Sequence, residues 1–144
     1  SKLAYVAEMG GNRIHVINLE DFTVTYIPIG SNPRAIVLSP DNTKMYVTMN
    51  LSGKVASWDL VANEAGKSVK TGEAARSLAI SSDGTAMFVV NFKSNTMSKV
   101  RTSDMKVLET FRACNEPIGV TYDTPTGNTW VACYKGQIKI YSNN

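Results

Sequence analysis

The sequence is poor in the residues that metal and nucleophile chemistry most often uses. Its 144 residues include two cysteines, Cys114 and Cys133, and one histidine, His15. Neither a Cys/His cluster for zinc nor a Cys-x-x-Cys-His haem-attachment motif is present, and no Gly-x-Ser-x-Gly elbow accompanies the histidine. We therefore expect no metal site, no cofactor bound by this sequence alone, and no serine-hydrolase triad.

Long apolar runs and a strong excess of one charge are also absent. No stretch approaches the roughly 18 apolar residues that a membrane-spanning helix requires, and no signal segment opens the sequence. The formal net charge is +3, with 43% hydrophobic and 19% charged residues. This composition is typical of a globular domain, and so weak a basic excess disfavours a nucleic-acid binder.

A repeat of 42 residues dominates what is present. Similar segments begin at Ser31, Glu73 and Asn115, each 42 residues after the one before. The N-terminal residues align with the second half of the same unit. One aromatic position recurs in every unit, at Tyr5, Tyr46, Phe88 and Trp130, and we expect Tyr46, Phe88 and Trp130 to occupy one core position per blade.

Each unit reads as four short strands separated by turn residues. The first strand is a short apolar run, and polarity rises toward the fourth, as expected when an inner strand is buried between neighbouring sheets and an outer strand faces water. Repeats of roughly 40–45 residues with four strands are typical of β-propeller blades. A two-layer β-sandwich would also give many short strands, but it does not require one repeated four-strand unit.

The predicted fold class is therefore all-β, a β-propeller segment of about three and a half four-stranded blades. Residues 1–144 form a single propeller domain or part of one, with partial units at 1–30 and 115–144 and complete units at 31–72 and 73–114. An open arc would leave apolar faces and strand edges uncovered. We expect a protein partner, a second propeller chain or the rest of a longer protein to complete the ring. A small four-bladed ring with two thin blades is the alternative.

Several motifs resemble those of the YVTN-repeat propellers: Tyr46-Val47-Thr48, Phe88-Val89-Val90-Asn91, Ser94-Asn95-Thr96-Met97-Ser98, Asn32-Pro33-Arg34-Ala35 and Ser39-Pro40-Asp41-Asn42. The resemblance covers nearly the whole chain. It implies a surface-layer or periplasmic type of propeller, distantly similar to lactonases and to the haem domain of nitrite reductases, and hence an extracytoplasmic location. Ile118 departs from the pattern, because it stands where the motif has arginine.

Two arginines are the leading ligand-binding candidates. Arg34 and Arg76 open the first strands of their units, which would place them at the mouth of a central channel. Two guanidiniums there would attract a carboxylate or a phosphate. The alternative is a structural role, in which each arginine binds backbone carbonyls or carboxylates that join neighbouring blades.

The residue that ends the second strand differs in every unit: it is Glu8, Met49, Asn91 or Cys133. We expect this position on the same rim as the arginines and take Glu8 and Asn91 as further ligand-binding candidates. Glu8 has no second carboxylate to work with, so we assign no catalytic residue. His15 is expected to be a solvated strand residue.

Cys114 and Cys133 end two strands at one rim. They form either a disulfide or two separate thiols, and a disulfide would indicate an oxidising compartment.

These features favour a non-enzymatic binding or scaffolding propeller, which presents its rim loops and central channel to a protein or a small anionic ligand. The alternative is the propeller portion of an enzyme, a lactonase-like hydrolase or a subunit of a redox complex. In that case another chain would supply part of the catalytic group or cofactor.

Overall fold

A computed structural model describes residues 2–142, all of whose regular structure is β-strand. In chain order the strands are β1 (Leu3–Glu8), β2 (Arg13–Asn18), β3 (Val24–Pro28), β4 (Pro33–Leu38), β5 (Lys44–Met49), β6 (Lys54–Asp59), β7 (Glu64–Lys70), β8 (Ala75–Ile80), β9 (Ala86–Asn91), β10 (Thr96–Arg101), β11 (Lys106–Arg112), β12 (Pro117–Asp123), β13 (Asn128–Cys133) and β14 (Ile138–Tyr141). The described part of the chain contains no helix long and apolar enough to cross a bilayer.

The strands form four antiparallel meanders, which we call blades 1 to 4. Blade 1 has the order β1-β2-β3, blade 2 has β4-β5-β6-β7, blade 3 has β8-β9-β10-β11, and blade 4 has β12-β13-β14. Neighbouring blades contact each other through the strands at their inner edges: β1 lies against β4, β4 against β8, and β8 against β12. The sheets therefore follow one another around an axis and are not stacked in two layers. The predicted all-β propeller segment of three and a half blades is confirmed.

The core consists of three apolar clusters, one between each pair of neighbouring blades. They are represented by Ile14 with Val47, by Tyr46 with Val89, and by Phe88 with Val131. The aromatic position of the repeat is central to two of them, because Tyr46 is 3% exposed and Phe88 is 1% exposed. Burial of each such side chain contributes roughly 1.5–3 kcal/mol, so the stacking of blades stabilises the fold.

The second strand of a complete blade, and not the first, is its most buried strand. Every residue of β9 and all but one of β5 are buried, whereas β4 and β8 are mostly half-buried. A second strand has a neighbour on each side within its sheet and a blade against each face. A first strand has one edge open to the axis. The outermost strands β7 and β11 are the most exposed, as predicted.

Trp130 shows what happens to the aromatic position when no blade covers it. It is equivalent to Tyr46 and Phe88, yet it is 38% exposed. Each aromatic packs against the following blade, and residues 2–142 supply none after blade 4. Ile138 and Ile140 on the same face are exposed as well. The expectation that Trp130 belongs to a core like its two counterparts is therefore wrong for this part of the chain.

Candidate functional site

A β-bulge recurs near the start of β4, β8 and β12, the first strands of blades 2 to 4. In β8 the pairing of Ala75 and then Ser77 with β9 leaves Arg76 without a partner. Ile118 takes the same place in β12, and Arg34–Ala35 in β4 faces a single residue of β5. Because a bulge redirects the side chain that it carries, the two predicted arginines project from equivalent irregular positions on neighbouring strands.

Two polar side chains of blade 2 hold this bulged backbone in place. The buried Thr48 Oγ1 accepts a hydrogen bond from the Ala35 N–H at 3.0 Å and donates one to the Arg76 carbonyl at 3.1 Å. The Asn50 side-chain amide donates to the Ala75 carbonyl at 3.2 Å. The strands that carry both arginines are therefore joined across the interface of blades 2 and 3.

The guanidinium groups of Arg34 and Arg76 have no anionic partner in the described part of the chain. Within residues 2–142 neither group forms a hydrogen bond or an ion pair. Arg76 instead lies over the ring of Phe92, with its Cζ 4.8 Å from the ring centroid. The contacts to carbonyls or carboxylates that the structural alternative requires are thus not made by these residues.

Arg34 and Arg76 occupy equivalent bulge positions on β4 and β8, two strands that contact each other. Partial burial lowers the pKa of Arg76, and the charge of Arg34 lowers it further. Tyr134 opposes this lowering of the Arg76 pKa. An anion bound between the arginines would relieve their repulsion.

Phe92 and Tyr134 belong to this site although the sequence analysis did not identify them. They are 42 residues apart, and each directly follows the second strand of its blade. Tyr134 is 69% exposed, so its hydroxyl is accessible to a ligand. The repeat could have identified this position, because Asn50, Phe92 and Tyr134 are each 42 residues apart and so align in successive units. We call Arg34, Arg76, Phe92 and Tyr134 the arginine site.

Asn91 does not have the rim role that was expected for it. Its side chain is fully buried, and its Nδ2 lies 3.1 Å from Thr96 Oγ1, 3.2 Å from Ser98 Oγ and 3.3 Å from the Thr71 carbonyl. Its Oδ1 accepts a hydrogen bond from Thr71 Oγ1 at 2.8 Å. Since Thr71 follows the last strand of blade 2, Asn91 joins blade 3 to the blade before it and has no group left for a ligand.

The same strand-end position joins two other pairs of blades. Cys133 of blade 4 forms a disulfide with Cys114, which follows the last strand of blade 3, and their Cα atoms are 6.0 Å apart. Met49 of blade 2 is buried in the cluster that also contains Ile29, after the last strand of blade 1. The position expected to select ligands therefore connects blades, by apolar contact, hydrogen bonds or a covalent bond.

Glu8 has this position in blade 1, where residues 2–142 supply no preceding blade. Its Oε2 accepts a hydrogen bond from Arg13 and lies 2.6 Å from His15 Nε2. The bond from Arg13 and then that from His15 lower the pKa of Glu8. Arg13 lies 4.3 Å over the ring of Tyr26, which His15 meets edge-on. The Glu8 carboxylate is therefore ion-paired with Arg13. His15 is part of the same cluster and is not the solvated strand residue that was expected.

A cleft of about 590 Å³ lies between blades 3 and 4 on the opposite rim. The stacked rings of Phe88 and Tyr122, with centroids 5.8 Å apart, form part of its wall. Arg101 at its edge is neutralised by Asp104 through two hydrogen bonds of 2.9 and 2.7 Å. The cleft is well separated from the arginine site because the two occupy opposite ends of the strands.

Comparison with known proteins identifies the fold and no family. No protein-family model and no curated protein sequence matches the chain. Among solved structures it is similar to Kuenenia stuttgartiensis hydrazine synthase, with a TM-score of 0.91, 17% identity, and coverage of 98% of this chain and 43% of that chain. It is also similar to dihydro-heme d1 dehydrogenase NirN in complex with DHE, with a TM-score of 0.79, 18% identity, and coverage of 98% and 35%. The chain thus spans less than half the length of either protein, and at these identities the likeness supports the propeller fold alone.

Proposed function

We propose that this chain is part of the ring of a non-enzymatic binding propeller, which holds a small anionic ligand at the arginine site. The observation that carries the proposal is the pair of guanidiniums, Arg34 and Arg76, on neighbouring first strands without an anionic partner in residues 2–142. Thr48 and Asn50 hold the backbone that carries them. A preorganised pair loses less conformational freedom on binding than two independent side chains do.

The groups of the site suit a carboxylate or a phosphate. A guanidinium presents its N–H donors in a planar fork that matches both anions, and two forks can share one ligand. Phe92 offers an apolar ring beside Arg76, and the exposed Tyr134 offers a hydroxyl. A small organic acid or phosphate ester would use all of these groups, whereas a large apolar ligand would leave both charges unpaired.

Completion of the ring by residues outside this chain is the second part of the proposal. The exposed face around Trp130 repeats, at an interval of 42 residues, the face that blade 4 covers at Phe88. Exposed apolar faces of this kind mark sites of association. The partial coverage of the two similar propeller proteins agrees with an arc that another chain, or more of the same protein, extends.

We also propose an extracytoplasmic location, because of the disulfide. A disulfide between two buried cysteines forms and persists in oxidising compartments and is rare in reducing ones. The resemblance to YVTN-repeat propellers supports the same placement.

Anion titration tests the arginine site directly. Inorganic phosphate and citrate are titrated into the chain by calorimetry at low salt, and the Arg34→Gln/Arg76→Gln variant is compared with Lys67→Gln/Arg112→Gln, which removes equal charge from exposed positions elsewhere. We expect the first variant to lose at least about tenfold in affinity, since each charged hydrogen bond is worth roughly 1.5–3 kcal/mol. Equal affinity in the two variants would refute the assignment of the site.

A second candidate is the propeller portion of an enzyme whose catalytic group or cofactor comes in part from another chain. It is favoured by the two similar structures, which are named as a synthase and a dehydrogenase. The native particle, purified with its partners, would then show visible absorbance from a cofactor or hydrolyse lactones. A particle with neither property would favour the binding function.

A further inference from the structure

The two rims of the complete blades differ in charge. Between residues 33 and 112, the rim that carries the arginine site, which we call the arginine rim, has Glu73 as its acidic residue. Its basic residues are Arg34, Lys54, Lys70, Arg76, Lys93 and Arg112. On the opposite rim acidic residues outnumber basic ones, and Asp41 and Asp83 there accept hydrogen bonds from backbone N–H groups of their own turns. The basic residues of the arginine rim form no ion pair within residues 2–142, so their charges are available to a ligand.

Two of these basic residues face each other directly. Lys54 of β6 pairs with Lys70 of β7, so both side chains lie on the same face of the sheet, and both are exposed. Like charges directly opposite each other on neighbouring strands destabilise a sheet. Since neither lysine has an ion pair within residues 2–142, an anion bound beside them would offset this repulsion.

A pocket of about 330 Å³ opens between blades 2 and 3 beside these lysines. We call it the lysine pocket, because Lys70 and Lys93 line it together with Glu73 and the turn of residues 50–53. Two lysines against one carboxylate leave its lining positive. The volume lies at the lower end of the roughly 300–1,000 Å³ that is typical of ligand pockets. The pocket can therefore hold a charged group of a small molecule.

The lysine pocket adjoins the arginine site. Lys93 directly follows Phe92 of that site, and the Phe92 N–H donates at 3.0 Å to the carbonyl of Ala74, which lines the pocket. Asn50 also lines the pocket, and its side-chain amide donates at 3.2 Å to the carbonyl that directly precedes Arg76. The same short segments thus form the wall of the pocket and carry the groups of the arginine site.

We propose that the arginine site and the lysine pocket bind one ligand with two anionic groups joined by a short spacer. The first group lies between Arg34 and Arg76, and the second contacts Lys70 and Lys93. A lysine ammonium is a compact charge with three donors, which suits the oxygens of a phosphoryl or carboxylate group. This inference rests on the proposed function and narrows its ligand to a molecule with two such groups.

Titration with anions of different length tests the inference. Inorganic phosphate, with one anionic group, and tripolyphosphate, with several, are titrated by calorimetry at low salt. The Lys70→Gln/Lys93→Gln variant is compared with Lys67→Gln/Lys106→Gln, which removes equal charge from exposed positions outside the arginine rim. We expect the first variant to lose at least about tenfold in affinity for tripolyphosphate, as for the loss of one charge-assisted hydrogen bond. Its affinity for phosphate should stay close to that of the unchanged chain, which also shows that the variant is folded.

Acetate and citrate repeat the comparison with carboxylates. The series in which the lysine variant loses more affinity for the longer anion identifies the second group as phosphoryl or carboxylate. Equal losses in the lysine variant and its control, in both series, would overturn the inference. A loss for phosphate as large as that for tripolyphosphate would overturn it too, because the lysines would then not bind a separate group.

The Arg34→Gln/Arg76→Gln variant separates this result from the proposed function. If that variant loses affinity for phosphate but the lysine variant behaves like its control, the two-group ligand is refuted and the arginine site stands. If the arginine variant binds both phosphates as the unchanged chain does, the proposed function is refuted. A loss confined to the lysine variant would then also refute a single ligand that spans both sites.

Discussion

The disulfide between Cys114 and Cys133 offers a quantitative prediction, because it joins blade 3 to blade 4 covalently. Blade 4 has a blade against only one of its faces within residues 2–142, so it has fewer contacts to retain it than blades 2 and 3 have. We expect the Cys114→Ala/Cys133→Ala variant to keep the fold of blades 1 to 3 and to lose stability mainly in blade 4.

The expected loss follows from the length of the closed loop. The two cysteines are 19 residues apart, and closing a loop of about 20 residues removes chain entropy worth about 3 kcal/mol. A domain of this size shifts its Tm by roughly 2–4 °C per kcal/mol, which predicts a fall of about 6–12 °C. A loss of about 3 kcal/mol is a large fraction of the roughly 5–15 kcal/mol that stabilises an ordinary domain.

Calorimetry of the oxidised chain, the chemically reduced chain and the alanine variant measures the loss, and hydrogen exchange in β12 to β14 locates it. The reduced chain and the variant should agree, and reductant should not change the variant further. A Tm equal to that of the oxidised chain, or two free thiols found before reduction, would refute the reasoning.

Three further predictions concern packing, the joint between blades and pH. Phe88→Ala should lower the free energy of unfolding, measured in urea, by about 3–5 kcal/mol. Trp130→Ala should lower it by clearly less, because only Phe88 is covered by a neighbouring blade. The reverse ranking would contradict this. Thr48→Val should cost about 2 kcal/mol by leaving two backbone groups without their partner, and Thr48→Ser should recover most of it; equal losses would contradict the role of the hydroxyl. Hydrogen bonds, of which that from Ser39 has the largest effect, lower the Asp41 pKa from 3.8 to about 2. The ionised carboxylate therefore stabilises the fold above the ordinary pKa, and this contribution is lost as pH falls through about 2. Asp41→Asn should therefore lower Tm at pH 7 and flatten the fall of Tm between about pH 4 and 2, and acid curves that stay parallel would contradict this.

Most of the architecture could be predicted because it depends on local and repeated features. The spacing of 42 residues and the alternation of apolar runs with turns define the strands, and Asp41 bonds within its own turn as its neighbours in sequence indicate. The relative burial of the strands was predicted less well. The first strand looks as apolar as the second in sequence, but one of its edges faces the axis of the arc.

The candidate site was predicted only in part. Arg34 and Arg76 could be found from the motif, but their unpaired state and their proximity depend on contacts between blades. Asn91 resembled an accessible rim residue because its neighbours in sequence do not reveal that Thr71 covers it. Glu8 lacked an evident partner because Arg13 and His15 reach it only through strand pairing.

The sequence by itself determined the strand order, the length of the repeat and the kind of residue at each repeated position, because these follow from periodicity and turn chemistry along the chain. Only the tertiary structure decided what each repeated position does. Phe88 is core and Trp130 is exposed surface although both are the same aromatic position, and Asn91 and Cys133 join blades by different bonds. The physical reason is that burial and bonding depend on the blade that lies opposite, which the residues of one repeat do not specify.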